Sequence, residues 1–246
     1  MEYRLVLDFG NTALKAIMFR DGELFAQANL DAPTTDEILA FATSKPVKYA
    51  ILGSVVNHSP DLIEELAPLF PLIIVGPRTA LPIGNEYESK ESLGYDRIAA
   101  SVEAWQLFPN APVLAIVAGT CITYNVVDAK GNFLGGAISP GLHMRMEAMH
   151  EKTKKLPLIT LEGKHPLTGN NTETSLRSGT FNGTIAELEG MIYQYLKQYP
   201  GLNTVIGGGD ASLLAEALKN GIFARPNLVA QGLYRILDYH VANHLL

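Results

Sequence analysis

The chain has 246 residues, 47% of them apolar and 18% charged, with a formal net charge of -6. That composition supplies a packed core and excludes a disordered chain, and its acidity excludes the basic face that a nucleic-acid partner requires. Cys121 is the only cysteine, so there is no intrachain disulfide and no thiolate metal site. No apolar run reaches the ~20 residues of a membrane span, and the acidic start around Glu2 and Asp8 does not read as a signal peptide. The expectation is a soluble cytoplasmic protein with no membrane partner.

Strands are predicted over 3–9, 13–20 and 23–29, with Asn11 turning the first corner and Asp21-Gly22, a strong hairpin dipeptide, the second. Thr34-Thr35-Asp36-Glu37 has the composition of a helix N-terminus and predicts a short helix over 35–43. A buried strand over 47–53, a helix opened by Ser59-Pro60 and running to about 69, and a strand over 72–75 follow. Residues 76–93 hold two prolines, two glycines and several charges without a sustained period; a loop of that length is functional or mobile as a rule. Gly94-Tyr95-Asp96-Arg97 ends it, and a helix over 98–107 closes the first half. Pro109-Asn110-Ala111-Pro112 marks a junction, giving domains 1–110 and 111–246.

The second half repeats the order. Strands are predicted over 113–118, 122–127 and 133–139, and Pro140-Gly141 leads into a helix through about 150. A polar irregular stretch, 152–171, precedes a long helical run over 172–199 that carries Gly179, Gly183 and Gly190. A strand over 204–206 ends in Gly207-Gly208-Gly209-Asp210, and helices over 211–219 and 229–244 finish the chain. Strands followed by helix–strand alternation, twice over, predict a duplicated α/β architecture.

The duplication is also visible in detail. Asp8-Phe9-Gly10-Asn11-Thr12 returns in reduced form as Val117-Ala118-Gly119-Thr120-Cys121; residues 5–15 align without gaps against 114–124, and turn glycines follow at Gly22 and Gly131. Two copies of a β-turn-β grip suggest one nucleotide held between two related domains. In the first copy, glycine lets the backbone approach a phosphate, the turn amides with Asn11 and Thr12 donate to it, and Lys15 adds charge. A carboxylate at Asp8 would repel phosphate unless Mg²⁺ lay between, and magnesium uses one or two carboxylates with water and phosphate. Gly119-Thr120 supplies the opposite contact, and the glycines before Asp210 admit an adenine or ribose. Asp96 beside Arg97 suits a base that takes a hydroxyl proton while Arg97 holds an anionic group. Three features read as structural: His240 and His244 lack a third metal ligand, Cys121 is a small strand residue, and Tyr193, Tyr195 and Tyr199 have no basic groove beside them.

Asp8-Phe9-Gly10-Asn11-Thr12-x-x-Lys15, Gly94-Tyr95-Asp96-Arg97, Ala118-Gly119-Thr120, Gly135-Gly136-x-Ile138-x-Pro140-Gly141 and Asn171-Thr172 occur in the order and approximate spacing of the type III pantothenate kinases. The chain resembles that family over nearly its whole length. The resemblance implies ribonuclease H-like, actin-like ATPase domains, each a mixed sheet flanked by helices, with the active site in the cleft between them. It implies ATP-dependent phosphorylation of pantothenate, the first step towards coenzyme A. By motif, Asp8, Phe9, Gly10, Asn11, Thr12, Ala13, Leu14, Lys15 and Thr120 would bind ATP, and Asp8 would hold Mg²⁺ through water. Asp96 would be the general base; Tyr87, Gly94, Tyr95, Asp96, Arg97 and Thr172 would bind pantothenate. The family is homodimeric, the partner subunit helping to close the pantothenate site. Its activating monovalent cation, K⁺ or NH₄⁺, is held by an Asp whose position here is Val117, a side chain with no ligating atom. A second family Asp is replaced by Asn125, and by the resemblance both changes remove negative charge near the ATP site. Alternatives are a sugar-like kinase of the same superfamily and a non-catalytic nucleotide-binding regulator.

Overall fold

The computed structural model describes residues 2–56, 60–218 and 222–246; Ser59 and Lys219, the predicted start of one helix and end of another, lie outside them. β1 (Tyr3–Phe9), β2 (Leu14–Arg20) and β3 (Glu23–Leu30) form an antiparallel meander. After α1 (Thr35–Ala42), β4 (Val47–Ser54) pairs in parallel with β1; after α2 (Pro60–Leu66), β5 (Leu72–Ile74) pairs in parallel with β4. The sheet order is β3-β2-β1-β4-β5. Asp21 and Gly22 both take positive φ, 49° and 92°, the left-handed pair that the β2–β3 hairpin turn demands.

The same path is then traced again. β6 (Gly84–Asn85) and α3 (Tyr95–Leu107) precede a second meander of β7 (Val113–Ala118), β8 (Cys121–Val127) and β9 (Asn132–Pro140). α4 (Leu142–Glu151) and α5 (Thr172–Gln198) lead to β10 (Asn203–Gly207), parallel to β7, and α6 (Ala211–Ala217) to β11 (Phe223–Ala224), parallel to β10. α7 (Leu228–Ala242) ends the fold. The order β11-β10-β7-β8-β9-β6 matches the first sheet, with β6 added beside β9.

The two turns are not superimposable residue for residue. Asp8 sits opposite Lys15 across the first hairpin, whereas Val117 sits opposite Thr123 across the second. The second turn is one residue tighter, closing Gly119 N–H to Cys121 O where the first closes Gly10 N–H to Ala13 O. The ungapped alignment therefore slips after the turn, and the structural counterpart of Lys15 is Thr123, not Tyr124.

Strand alternation sends Leu5, Leu7 and Phe9 to one face of the first sheet, against α1 and α2, and Val6 to the other, where α3 and α7 lie. α3 packs on α7 and on β7, and α7 returns to β1 and β4, so this helix pair fills the space between the sheets. The pair crosses closely because position 232 is glycine: a Cβ there would lie 1.8 Å from Ala99 O. Glu103, on α3 and fully buried, is held by Arg225 at 3.1 Å and by Arg235 of α7 at 3.0 Å.

Two sequence expectations change. α3 begins at Tyr95, not at residue 98, so Asp96 and Arg97 occupy its first turn. Residues 76–93 are not a free loop: Gly84 N–H donates to Gly131 O (2.8 Å), Glu86 N–H to Phe133 O (3.0 Å), and His240 Nε2 bonds Ala80 O (2.8 Å). β6 and β11 escaped notice because two-residue strands carry no readable period.

Candidate active site

The site begins at the tip of β1. Gly10 to Leu14 turn there over an open cavity of about 410 Å³, which Asn29, Asp31 and Val56 also line. Asn11 and Thr12 are exposed at its rim, while Ala13, Leu14 and Lys15 are half-buried. The Phe9 ring is fully buried in the core beneath α1 and α2 and its carbonyl accepts from Val55 N–H, so it positions the turn and does not face the cavity.

Asp8 points to the opposite face from Phe9, towards α3. Burial pushes its carboxyl above the usual aspartate range; the Tyr95 hydrogen bond and the Lys15 charge oppose the rise, and the charge of Asp96 adds to it. Tyr95 Oη donates to Asp8 Oδ1 at 2.7 Å. Its ring lies against Gly53 of β4, where a Cβ would come within 2.2 Å of it. Burial and the Asp8 charge hold the Tyr95 phenol far above its ordinary pKa, so it stays a donor.

Gly94 caps α3 without a side chain. Burial raises the Asp96 carboxyl above the usual range, and the neighbouring backbone amides and the Arg97 charge act against the rise. The carboxyl turns back towards Gly94, where a Cβ would stand 2.5 Å from Asp96 Oδ1.

Arg97 is 5% exposed. Its guanidinium lies over the Tyr87 ring at 5.4 Å and near the Phe133 ring at 5.9 Å, and Nε donates to Asn125 Oδ1 at 2.7 Å. Tyr87 is placed in turn by Gly135 of β9, whose φ of +106° and lack of a Cβ let the ring lie 3.2 Å from where one would be. Asn125 was expected near the ATP turns; it faces α3 beneath Arg97, because alternate residues of β8 point to that side.

The second turn meets the first across the cleft. Thr12 Oγ1 and Thr120 Oγ1 are 2.7 Å apart. Val117 is half-buried and packs against the core that surrounds α3, contributing no polar atom. Gly208 lies against Ala118, and Asp210 N–H donates to Ala118 O at 3.1 Å. Burial raises the Asp210 carboxyl, with the His143 charge acting against it. The Gly207–Asp210 segment therefore borders the second turn, as its place after the strand suggested.

Thr172 alone stands apart. It is exposed at the start of α5, behind a reciprocal cap between Asn171 and Thr174, and no contact joins it to Asp96 or Arg97 among the described residues. Sequence reasoning missed Gly53, Phe133 and the role of Asn125. Each acts through a partner distant in sequence, and none has a local signal beyond an apolar strand pattern. His240 is buried on Ala80, in line with a structural histidine.

Among the described residues, no three His, Cys, Asp or Glu side chains gather as a metal cage. The carboxylate of Asp8 fits a magnesium ion held through water, whose direct ligands are water and phosphate.

A family model described as type III pantothenate kinase matches residues 4–194. The chain is 39% identical over 237 residues to the type III pantothenate kinase of Bacteroides fragilis (strain YCH46), covering 96% of this chain and 98% of that one. It is 34% identical over 247 residues to that of Porphyromonas gingivalis, covering 98% and 100%. Among solved structures, a conserved putative Baf family transcriptional activator from Campylobacter jejuni aligns with a TM-score of 0.62 at 19% identity, covering 98% of this chain and 100% of that one. A ROK family glucokinase from Streptomyces griseus, in complex with glucose and AMPPNP, aligns at 0.54 and 12%, covering 96% and 98%. These two likenesses show the fold alone, the duplicated α/β architecture shared with sugar kinases.

Proposed function

The chain belongs to the type III pantothenate kinase family, and from that premise we propose that it transfers the γ-phosphoryl group of ATP to the primary hydroxyl of pantothenate. The observation that carries this reading is the first turn of α3. It presents a carboxylate, Asp96, and a buried guanidinium, Arg97, beside a phosphate-type turn to which Tyr95 ties them. Asp96 accepts the hydroxyl proton, its raised affinity for a proton suiting a base at neutral pH. Arg97 takes the carboxylate of pantothenate, and Tyr87, Gly94 and Tyr95 wall the pocket. Gly10 lets the backbone come close to the phosphates, and the amides of the turn after it, with Asn11, Thr12, Lys15 and Thr120, hold them. Asp8 would hold Mg²⁺ through water, and the ion would neutralise phosphate charge. Phosphoryl transfer asks the protein chiefly for positioning and charge neutralisation.

Thr172 is exposed and apart from Asp96 and Arg97 within one chain, and a homodimer in which the partner brings its Thr172 to the pantothenate site is part of the proposal. No described helix is long and apolar enough to cross a membrane, and a cytoplasmic location fits the substrates. Val117 provides nothing for a monovalent cation, so turnover is independent of K⁺ and NH₄⁺. A coupled ADP assay with pantothenate in sodium, potassium and ammonium salts tests both points. Pantothenate-dependent ADP formation at equal rates is expected. ADP release that ignores pantothenate would overturn the function, and strict potassium dependence would overturn the reading of Val117.

A further inference from the structure

On the face of β8 opposite Asn125, where Tyr124 packs in one core with Leu188 of α5, a second polar network surrounds Glu187. Tyr124 Oη donates to Glu187 Oε1 at 2.9 Å, and Ser139 Oγ donates to the same oxygen at 2.6 Å. Arg145 of α4 pairs with Oε2 through Nη2. One carboxylate on α5 thus collects donors from β8, β9 and α4. Burial works to raise it, but the three donors and the Arg145 charge outweigh burial and hold it below the usual glutamate range. It is therefore an anion at neutral pH. Burial and the Glu187 charge raise the Tyr124 phenol, so that group stays a donor.

The network does not end at Glu187. Arg145 uses Nε to hold Pro140 O at 2.9 Å, and Pro140-Gly141 is the corner between β9 and α4. That corner is pressed against the second turn of the cleft. Gly141 N–H donates to Thr120 O at 3.1 Å, and a Cβ at 141 would stand 1.9 Å from Gly119 O. Pro140 also sits opposite Cys121 in the β8–β9 ladder. A contiguous path of charge-assisted and backbone bonds therefore runs from Glu187 through Arg145 and Pro140 to the backbone of Gly119 and Thr120.

We propose that Glu187 is a positioning residue for the nucleotide: through Arg145 and the Pro140-Gly141 corner it fixes where Gly119 and Thr120 meet the phosphates. The inference rests on the kinase reading above and deepens it, giving α5 a part in ATP binding although Glu187 itself touches no phosphate. Arg97 and Tyr87 lie on the other face of β8, so pantothenate binding stays outside its reach.

Glu187→Gln keeps the shape and an acceptor for Tyr124 and Ser139 but turns an NH₂ towards the Arg145 guanidinium, donor against donor. Arg145→Met keeps the aliphatic stem and removes the bonds to Glu187 and Pro140. Each is measured alone and in a Thr120→Val background, for the KM of ATP, the KM of pantothenate, and ATP affinity by titration calorimetry without acceptor. Each single variant should weaken ATP about tenfold, the scale of a lost hydrogen bond to a charged group, and leave the pantothenate KM within about twofold. In the Thr120→Val background the same substitution should add less than about twofold, because members of one network are not additive. Equal losses for ATP and pantothenate, an unchanged ATP affinity, or an undiminished further loss in the Thr120→Val background overturn the proposal. If thermal unfolding shows that Glu187→Gln does not fold, Arg145→Met decides by the same comparison. A wild type that forms no pantothenate-dependent ADP refutes the functional reading instead, and the calorimetric ATP affinities still decide the role of Glu187.

Discussion

Tyr95 Oη donates to Asp8 Oδ1 at 2.7 Å, which ties the first turn of α3 to the tip of β1. The bond crosses from the element that carries Asp96 and Arg97 to the one that carries the phosphate turn. Gly53 provides the floor on which the Tyr95 ring rests. The first turn of α3 and the tip of β1 are therefore tied together by one side-chain hydrogen bond.

Tyr95→Phe keeps the ring and removes the donor. A hydrogen bond to a charged group contributes about 1.5–3 kcal/mol, so a loss of roughly tenfold or more in kcat/KM is expected. Without that bond the Asp8 carboxyl rises further, so its ionised form is harder to reach. Steady-state kinetics against magnesium concentration check this: the variant should need more magnesium, and an unchanged magnesium dependence would refute the assignment of Asp8.

The acid limb of the pH–rate profile should lie above the ordinary aspartate value of 3.8, because burial raises Asp96 and the base must be ionised to work. The sign for stability is opposite. A folded carboxyl with a raised pKa binds its proton more tightly than the unfolded chain does. Its stabilising effect is thus present below the unfolded pKa and lost as pH climbs through the folded one. At neutral pH the ionised Asp96 is a burden on the fold. Asp96→Asn should lower kcat by about 10²-fold or more and leave the melting temperature equal or higher. A clear loss of thermal stability at neutral pH would contradict the burial argument.

Gly94→Ala should damage chemistry more than binding of ATP. The added methyl would stand 2.5 Å from Asp96 Oδ1, so the carboxylate must move. A displacement of about 1 Å in a catalytic group costs as much as 10²-fold. The expected pattern is a lowered kcat with an unchanged KM for ATP; normal turnover would remove Asp96 from the role of base.

The Glu103 clamp predicts where global stability resides. Replacing Arg225 and Arg235 together by alanine strands a fully buried carboxylate, which costs about 3–5 kcal/mol. Each single variant should cost clearly less, since the other arginine remains. Denaturant titration measures both; additive small effects would mean that solvent reaches Glu103.

Most of the secondary structure was legible because its causes are local. The hairpin dipeptide Asp21-Gly22 and the cap at Thr34 each act within a few residues, and strand alternation shows in the pattern itself. The turn after β1 was legible for the same reason, since Gly10, Asn11 and Thr12 are one short segment. The start of α3 was not. Glycine at 94 and aspartate at 96 read equally well as the end of a loop, and it is the backbone bond from Ile98 N–H to Gly94 O that extends the helix to Tyr95.

By itself, the sequence determined that a β-turn-β unit occurs twice, that the first copy carries Asp8 and Lys15 while the second carries Val117, and that Asp96 and Arg97 are neighbours. Those are properties of adjacent residues and of their periodicity. Only the tertiary structure decided that Tyr95 meets Asp8, that Thr12 meets Thr120 and that Asn125 lies under Arg97 and not beside a phosphate. Each of these contacts joins elements from different parts of the chain. They form because α3 and α7 pack between two sheets, and no local preference encodes where that packing brings a side chain to rest.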